Sequence, residues 1–269
     1  MDATLDPTRA AELKACCVAA YEGEWARLLG GVSWHPGGVE LTLAMARQLG
    51  VTEQSTVLDV ASGAGTSAIA LAHTLGCRVI GVDLGARNVA AARAAAEAAG
   101  VAHLVRFEVG DAERLPVADG SADAVICECA FCTFPDKPTA ARELARVVRP
   151  GGGVGLSDLT LEGAVPPALE TVVGWVSCVA GALPLHDYSA HLERAGLTVE
   201  GAERHDQALR DLLARVRVAL LGAEIGARLG RIAISVDQVD SAKRMLRAAT
   251  DAVAAGALGY GVVIARRVA

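Results

Sequence analysis

Thr56-Val57-Leu58-Asp59-Val60-Ala61-Ser62-Gly63-Ala64-Gly65-Thr66 is the stretch that decides the fold of this chain. A short apolar run carries an acid and passes into a loop of small residues, and a helix-forming run, 67–75, follows. This order predicts a strand, a tight turn and a helix N-terminus, which is how α/β folds hold nucleotide-like ligands. Glycine lets the backbone approach a ligand where a Cβ would collide, and the free N–H groups at the helix start supply donors.

Strands and helices alternate after this stretch. Besides 56–60, strands are predicted at 77–83, 105–110, 122–128 and 154–159, and helices at 64–75, 86–99 and 137–148. Helical connections of about ten residues or more between strands imply parallel βαβ units. The sequence therefore predicts an α/β fold with a Rossmann-like, doubly wound sheet.

The flanking segments are mostly helical, so one domain with a helical cap is the simplest organisation. Residues 1–50 form the predicted N-terminal helical cap segment, and residues 51–160 form the ligand-binding core. Residues 161–256 are predicted to be a substrate-side helical region with a strand at 197–205, and residues 257–269 hold a final strand that completes the sheet. The helices predicted in the flanks are 7–21, 39–49, 168–179, 187–195, 207–229 and 236–255.

The composition argues against several classes of function. Of 269 residues, 52% are hydrophobic, and the net charge of −6 without a concentrated basic patch argues against a nucleic-acid partner. The first residues lack the features of a signal peptide, and the apolar run 171–185 is too short and too interrupted to span a membrane. A cytoplasmic protein that acts on a small molecule is expected, and no oligomeric state is predicted.

Two cofactors fit the glycine-rich loop. Gly63 to Ala68 matches G-x-G-x-x-A, and Asp83 ends the second strand, where an acid would bind ribose hydroxyls, so NAD is allowed. Two other acids favour S-adenosylmethionine. Asp59 at the loop entrance would meet the positively charged aminopropyl end of that cofactor, and Asp111 would meet its adenine amino group. No later segment supplies an obvious dehydrogenase catalytic pair.

Four motifs lie in order between residues 40 and 160: VLDVASGAGT, GVDLGARNVAAAR, VGDAERLPVADGSADAVI and RELARVVRPGGGVGLSD. Together they resemble the class I S-adenosylmethionine-dependent methyltransferases, in the branch of the ubiquinone/menaquinone methyltransferases. The resemblance implies a seven-stranded sheet with an antiparallel last strand and S-adenosylmethionine as cofactor. It also implies cofactor contacts by Asp59, Ala61, Gly63, Gly65, Asp83, Leu84, Asp111, Ala112 and Glu128. One departure is visible, because Ala61 replaces the first glycine usual in the family's loop, and we expect it to require only a modest adjustment.

Seven cysteines are an odd number in a chain without a predicted export signal, so a disulfide scaffold is not expected. Cys127, Cys129 and Cys132 lie at the carboxyl end of strand 122–128, which in a parallel sheet faces the ligand crevice. Strand alternation predicts Cys127 and Cys129 on one side of the sheet and Glu128 on the other. Cys127 is expected to pack in the core.

The segments AVICECAFCTFPDKPTAARELARVVRPGGGVGLSD and SCVAGALPLHDYSAHLERAGL are similar to the arsenite methyltransferases. The resemblance implies that Cys129 and Cys178 bind trivalent arsenic as the substrate. The thiols left open as a third ligand are Cys132, which joins them in the predicted catalytic set, Cys16 and Cys17. The sequence departs from that family at Ala68, near which the family has another cysteine, and its last residues do not resemble the family's cysteine-rich tail.

Other residues give weaker indications. His35 lies in the turn-rich segment 34–38, where a surface position is favoured over a role as a base or as a cofactor contact. Tyr21 and Trp25 are spaced i, i+4 on the first helix, which favours packing. The remaining histidines have no companions at metal-ligand spacing, so no zinc site is predicted.

Three functions are therefore open. The leading one is a methyltransferase whose acceptor is a thiol-bound metalloid, with arsenite first, because trivalent arsenic is a soft centre that prefers thiolates. Its lone pair would attack the activated methyl group, so the protein's task would be largely alignment and no general base is needed. The second is a methyltransferase for carbon, oxygen or sulfur of a small organic molecule, with structural cysteines. The third is a non-catalytic, thiol-based metalloid-binding protein.

Overall fold

A mixed sheet of seven strands forms the centre of the computed structural model, which describes residues 6–23, 35–164 and 178–268. The strands are β1 (Thr56–Val60), β2 (Arg78–Asp83), β3 (Val105–Val109), β4 (Ala122–Glu128), β5 (Val148–Leu161), β6 (Leu197–Arg204) and β7 (Leu258–Arg267). Their order across the sheet is β3-β2-β1-β4-β5-β7-β6. The pairs among β1 to β5 are parallel, whereas β7 runs antiparallel to both β5 and β6. The predicted fold class is thus confirmed.

Some of the helices begin at a side-chain cap. The carboxylate of Asp6 accepts a hydrogen bond from the Arg9 amide at 3.3 Å, and Ser235 and Gln238 form a reciprocal capping box. The helices are α1 (Pro7–Tyr21), α2 (Gly38–Gln48), α3 (Thr66–Leu75), α4 (Ala86–Ala98), α5 (Lys137–Val147), α6 (Leu185–Arg194), α7 (Asp206–Arg228) and α8 (Val236–Ala254). A 3₁₀ turn, Phe131–Thr133, follows β4. Among the helices in the described ranges, none is both apolar enough and long enough to cross a bilayer.

The strand order reverses direction beside β1. Strands β2 and β3 lie on one side of β1, and β4 and β5 lie on the other. In an open α/β sheet the connections diverge at such a point, which leaves a crevice outside the carboxyl ends of the strands. Asp59 pairs with Gly81 of β2 and Ile126 of β4, so these three strands end at nearly the same level. The fold therefore brings their carboxyl-terminal residues together.

Small aliphatic side chains fill both faces of the sheet. Along β4, Ala124 and Ile126 join one buried cluster and Val125 and Cys127 join the other, as the two-residue period of a strand requires. The larger Tyr260 is also fully buried, and its hydroxyl lies 2.8 Å from the Ser157 hydroxyl. Cys127 thus packs in the core, as its position in the sequence predicts.

Most predicted boundaries differ from the structure by one or two residues. Strand β5 is longer at both ends than predicted, because Val148 pairs with Ala122 of β4 and Leu161 pairs with Leu258 of β7. The helix predicted from residue 64 begins at Thr66, since Gly65 has a left-handed φ of 83°. The helix predicted at 168–179 lies mostly outside the described residues, and so does Trp25.

Gly81 provides a test of the close packing in β2. A Cβ at this position would lie 2.3 Å from the Phe107 ring and 2.8 Å from the Ser62 hydroxyl. We expect Gly81→Ala to lower the free energy of unfolding by about 1–3 kcal/mol, measured by urea denaturation. Gly201→Ala in β6 is the matched control, because a Cβ there meets no atom within 4 Å. Equal losses in the two variants would contradict this account.

Candidate active site

A cavity of about 830 Å³ lies at the carboxyl ends of β1, β2 and β4. Among the predicted cofactor residues, those that line it are Asp59, Ala61, Gly63, Asp83, Leu84, Asp111, Ala112 and Glu128. Gly65 is absent from the lining. A Cβ on Gly65 would lie 2.7 Å from Phe107 and 2.9 Å from Ala92, so this glycine allows the loop to pack on the core. A Cβ on Gly63 would meet nothing within 4 Å, which leaves the cavity side of the loop open.

The Asp59 carboxylate is buried beneath this loop with one oxygen free. It accepts a hydrogen bond from the Ala68 amide, whereas its Oδ2 has no hydrogen-bond partner. Burial raises the pKa of Asp59 well above its usual range, and the nearby Glu128 and Asp83 carboxylates add to the effect. A cationic group would satisfy this oxygen and relieve the repulsion. The ammonium of S-adenosylmethionine has the required charge, so the residues present fit that cofactor.

Asp83 joins the loops that follow β1 and β2. Its Oδ2 accepts a hydrogen bond from the Gly63 amide at 2.8 Å. Its Oδ1 accepts hydrogen bonds from the Gly85 amide at 2.8 Å and from Asn88 Nδ2 at 3.1 Å. Because a carboxylate has about four acceptor sites, it could still accept a hydrogen bond from a ribose hydroxyl. Asp83 therefore shapes the loop in addition to its predicted contact.

Helix α1 is held across the cavity by charged side chains. Lys14 Nζ lies 2.7 Å from Asp111 and 2.5 Å from Glu113. At the end of the helix, Glu22 Oε1 accepts a hydrogen bond at 2.7 Å from the Arg87 amide in the first turn of α4. A carboxylate at a helix N-terminus is favoured by the partial positive charge there. Asp111 thus has a partner from α1 that the sequence did not predict.

Glu128 lies in a polar network on another wall of the cavity. Its carboxylate accepts hydrogen bonds from the hydroxyls of Thr42 at 2.9 Å and Ser67 at 2.8 Å. His35 Nε2 is 3.3 Å from the Ser67 hydroxyl, and His35 Nδ1 is 3.5 Å from Glu128 Oε1. His35 is therefore buried at the cavity, and the predicted surface position is wrong. The Ser67 hydroxyl satisfies Nε2 away from water, whereas the buried Nδ1 has no hydrogen-bond partner among the described residues and lies beside the Glu128 carboxylate.

A cluster of thiols adjoins the cavity beyond Glu128. The sulfurs of Cys129 and Cys178 are 3.8 Å apart, and the Tyr21 hydroxyl lies 3.6 Å from Cys178 Sγ. Cys132 is completely buried in the 3₁₀ turn, and Cys17 of α1 lines the cavity while the adjacent Cys16 is exposed. The structure thus brings together the two cysteines that lie 49 residues apart in the sequence. Tyr21 contacts a thiol, which the packing interpretation of this residue missed.

The alternation predicted for Cys127 and Cys129 is wrong. Cys127 packs on one face of the sheet, whereas Cys129 packs against the cluster on the other face. The reason is that Cys129 has a φ of 51°, so the chain leaves the extended conformation immediately after Glu128. Cys129 thereby turns toward Cys178.

Backbone strain is concentrated at this site. Among the residues that the structure describes, the non-glycine residues with positive φ are Ala61 (60°), Cys129 (51°) and Cys178 (68°). Such conformations cost about 1–3 kcal/mol each and occur frequently at functional sites. The loop beside the cofactor cavity and both members of the thiol pair therefore share one unfavourable feature.

The thiols differ in their affinity for protons. Side-chain hydrogen bonds from Cys129 and Cys132 hold the pKa of Cys178 well below its usual range, and the Tyr21 hydroxyl and the charge of Lys137 act in the same direction. The hydrogen bond to Cys178 and burial raise the pKa of Cys129. The Cys129 carbonyl, 3.2 Å from Cys178 Sγ, favours the thiol form of Cys178, but more groups act in the opposite direction. Cys178 therefore loses its proton more readily than Cys129.

Asp158 of β5 is a buried acid beside the thiols. Its Oδ2 accepts a hydrogen bond from the Cys132 amide, and its Oδ1 accepts one from the Leu159 amide, both at 2.8 Å. Burial and the charge of Cys178 raise the pKa of Asp158 to about 7. Asp158 was not among the predicted site residues. It ends the quoted motif RELARVVRPGGGVGLSD, and the pairing of β5 with β4 places it in the site.

The fold and the cavity first define a class, a Rossmann-like domain with a cofactor site at the switch point of its sheet. Residues 58–155 match the family model described as a methyltransferase domain. Phosphoethanolamine N-methyltransferase 2 of Haemonchus contortus, solved with S-adenosyl-L-methionine, has the same fold, with a TM-score of 0.76 and 20% identity. That alignment covers 94% of this chain and 57% of the other.

Two curated relatives are more similar in sequence. Methyltransferase GfsG of Streptomyces halstedii is 32% identical over 163 residues, which are 60% of this chain and 59% of the relative. An arsenite methyltransferase of Halobacterium salinarum is 37% identical over 144 residues, which are 52% of this chain and 37% of the relative. Residues 58–155 therefore match a methyltransferase domain, and the chain matches less than two thirds of the length of either relative.

Relief of the strain at Ala61 should stabilise the protein. Glycine adopts a φ of 60° without the cost of about 1–2 kcal/mol that an L-residue incurs, although it gains more freedom in the unfolded chain. We expect Ala61→Gly to raise the free energy of unfolding by about 0.5–1 kcal/mol in urea denaturation. Ala64→Gly in the same loop has no positive φ to relieve, so it should not stabilise the protein. Destabilisation by Ala61→Gly would refute the assignment of strain.

The buried acid should make stability depend on pH. The pKa of Asp158 is about 7 in the folded protein, whereas that of an unperturbed aspartate is 3.8. Between these two pH values the folded protein retains a proton that the unfolded chain has lost. Stability contributed by this proton is complete below the lower value and is lost as the pH rises through the higher one. Relative to Asp158→Asn, which cannot ionise, the wild type should lose up to about 4 kcal/mol of unfolding free energy between about pH 4 and pH 7. Urea titrations across this range measure the difference, and a constant difference would contradict the assignment.

Proposed function

We propose that this chain is an S-adenosylmethionine-dependent methyltransferase that acts on a small molecule, with trivalent arsenic as the leading acceptor. The observation that carries the acceptor is the pair of thiols, Cys129 and Cys178, with sulfurs 3.8 Å apart beside the cofactor cavity. Both residues adopt strained, left-handed backbone conformations. Strain that is retained at both members of a pair favours a functional role over simple packing.

The chemistry of the pair suits a soft substrate. Trivalent arsenic binds thiolates in preference to oxygen or nitrogen, by the softness argument that applies to metals. As each sulfur–arsenic bond forms, an As–OH bond of arsenite breaks, and the oxygen leaves as water with the proton of a thiol or as hydroxide when a thiolate attacks. The lowered pKa of Cys178 makes it the first nucleophile, and the Cys129 thiol follows. Cys132 is close enough in the fold to interact with Cys178, but it is fully buried and stays a less exposed candidate for a third bond.

The protein's own contribution to the methyl transfer is alignment. Asp59, Asp83 and Asp111 would hold the cofactor, which supplies an activated methyl group when bound. The bound arsenic keeps a lone pair, and the thiol pair fixes its position beside the cavity. A near-attack distance of about 3–3.5 Å is the requirement for rapid transfer. Tyr21 and the rest of α1 would exclude water from this space, and no general base is needed.

A second function has its own support. A small organic acceptor agrees with a cavity of about 830 Å³, with Ala68 in the neighbourhood of the cysteine expected by resemblance, and with the longer match to methyltransferase GfsG. The cysteines would then be structural. A non-catalytic, thiol-based metalloid-binding protein is the third alternative, favoured by Ala61 in place of the usual loop glycine.

Cysteine variants test the acceptor. We expect Cys129→Ser and Cys178→Ser each to reduce the formation of methylated arsenic at least about 100-fold, because the substrate loses a ligand and its alignment. The assay uses purified, reduced protein with arsenite and cofactor labelled in the methyl group. Calorimetry should find unchanged affinity for S-adenosylmethionine in both variants.

Cys16→Ser is the matched control, because this thiol is exposed and lies next to a cavity residue without lining the cavity. It should retain full activity. Full turnover of arsenite by Cys129→Ser or by Cys178→Ser would contradict the proposal that arsenic is the acceptor. Stoichiometric binding of arsenite without methylation would instead favour the third alternative, and a screen of organic acceptors tests the second.

A further inference from the structure

The thiol pair has a third potential ligand that the proposed function does not use. One ligand atom each from Cys129, Asp158 and Cys178 lies within 4.8 Å of the others. These residues come from the end of β4, from β5 and from the segment that precedes α6. Their separation in the sequence matches no metal-binding motif. Two sulfurs and one carboxylate form a mixed donor set.

The spacing of the sulfurs matches a particular coordination geometry. In a tetrahedral zinc site with Zn–S bonds of about 2.3 Å, two sulfur ligands are about 3.8 Å apart. The observed distance between Cys129 Sγ and Cys178 Sγ is 3.8 Å. A disulfide would require about 2.05 Å, so the pair is not held at bonding distance. The sulfurs therefore stand where two ligands of one tetrahedral ion would stand.

The Asp158 carboxylate has capacity to complete the set. The carboxylate accepts backbone hydrogen bonds from Cys132 and Leu159 and a side-chain hydrogen bond from Cys132. Because a carboxylate has about four acceptor sites, one remains for a cation. Ligating carboxylates are commonly oriented by such hydrogen bonds. For a tetrahedral ion with Zn–O of about 2.0–2.2 Å, the sulfur–oxygen distance is about 3.6 Å. In this structure the sulfur–oxygen distances are at most 4.8 Å, so the ligands would move closer by up to about one ångström to bind such an ion.

We propose that Cys129, Cys178 and Asp158 bind a thiophilic divalent cation of the Zn²⁺ and Cd²⁺ type, with the fourth position open to the cavity that Cys129 lines. The cation offsets the negative charge of two thiolates and a carboxylate in a buried setting. Three protein ligands and one open position are the pattern of zinc sites that exchange a ligand. Because the cation uses the same sulfurs as arsenite, the two exclude each other.

Asp158 distinguishes the two occupants. Arsenic requires the thiols, whereas a divalent cation of borderline softness gains from a carboxylate. The inference rests on ligand geometry and does not require that arsenic is methylated. Divalent cations of this class would inhibit turnover of any acceptor that occupies the thiol end of the cavity.

The test uses the full chain, reduced and freed of metal by a chelator. Titration with Cd²⁺ is followed by the ultraviolet charge-transfer absorption of cadmium thiolates, and Zn²⁺ is measured by competition with a coloured chelator. We expect one ion per chain, loss of binding in Cys178→Ser, and a dissociation constant raised about tenfold or more in Asp158→Asn. Arsenite affinity of Asp158→Asn should be unchanged, and Cys16→Ser should bind Cd²⁺ as the wild type does.

X-ray absorption at the metal edge of the wild type needs no variant. Two sulfurs with oxygen or nitrogen in the first shell support the site, whereas three or more sulfurs, or none, overturn it. Absence of saturable binding, or binding that is unchanged in Asp158→Asn, also overturns it. Circular dichroism checks the fold of each variant, and Asp158→Glu should retain binding. Failure to methylate arsenic with Cd²⁺ binding intact would defeat the proposed acceptor alone.

Discussion

The reversal of strand order at β1 is the constraint on which the rest of the structure depends. Because β1 lies between β2 and β4, the carboxyl ends of three parallel strands meet at one edge. Their terminal acids, Asp59, Asp83 and Glu128, are consequently held close together, partly out of water. Like charges in a desolvated space repel, and Asp59 has an oxygen without a partner. The cavity is thus built to receive positive charge.

The part of this arrangement nearest the sheet is predictable from the sequence. Strands β1 and β4 and helix α1 have the predicted bounds, because each lies between clear breaks in the sequence pattern. Parallel strands carry their carboxyl-terminal residues to a common crevice, so Asp59, Asp83 and Cys129 could be placed there before the fold was known. Resemblance added Cys178, for which no local pattern points to the site.

The remaining contacts depend on distances across the chain that no local period encodes. Lys14 meets Asp111 from 97 residues away, and Tyr21 meets Cys178 from 157 residues away. Asp158 was not among the predicted site residues, because only the pairing of β5 with β4 brings it beside the thiols. The predicted alternation of side chains was wrong at Cys129, because its positive φ turns the side chain to the opposite face of the sheet. Sequence periodicity predicts the elements well and the exceptions at their ends poorly.

Helix α1 joins the two halves of the site mechanically. It is a rod of 15 residues, about 22 Å long, that holds Asp111 through Lys14 at mid-length and reaches Cys178 through Tyr21 at its end. A rigid rod cannot release one of these contacts widely without disturbing the other. A movement of α1 that withdrew Lys14 from Asp111 would therefore also withdraw Tyr21 from Cys178. The predicted cofactor pocket and the thiol pair would then open together.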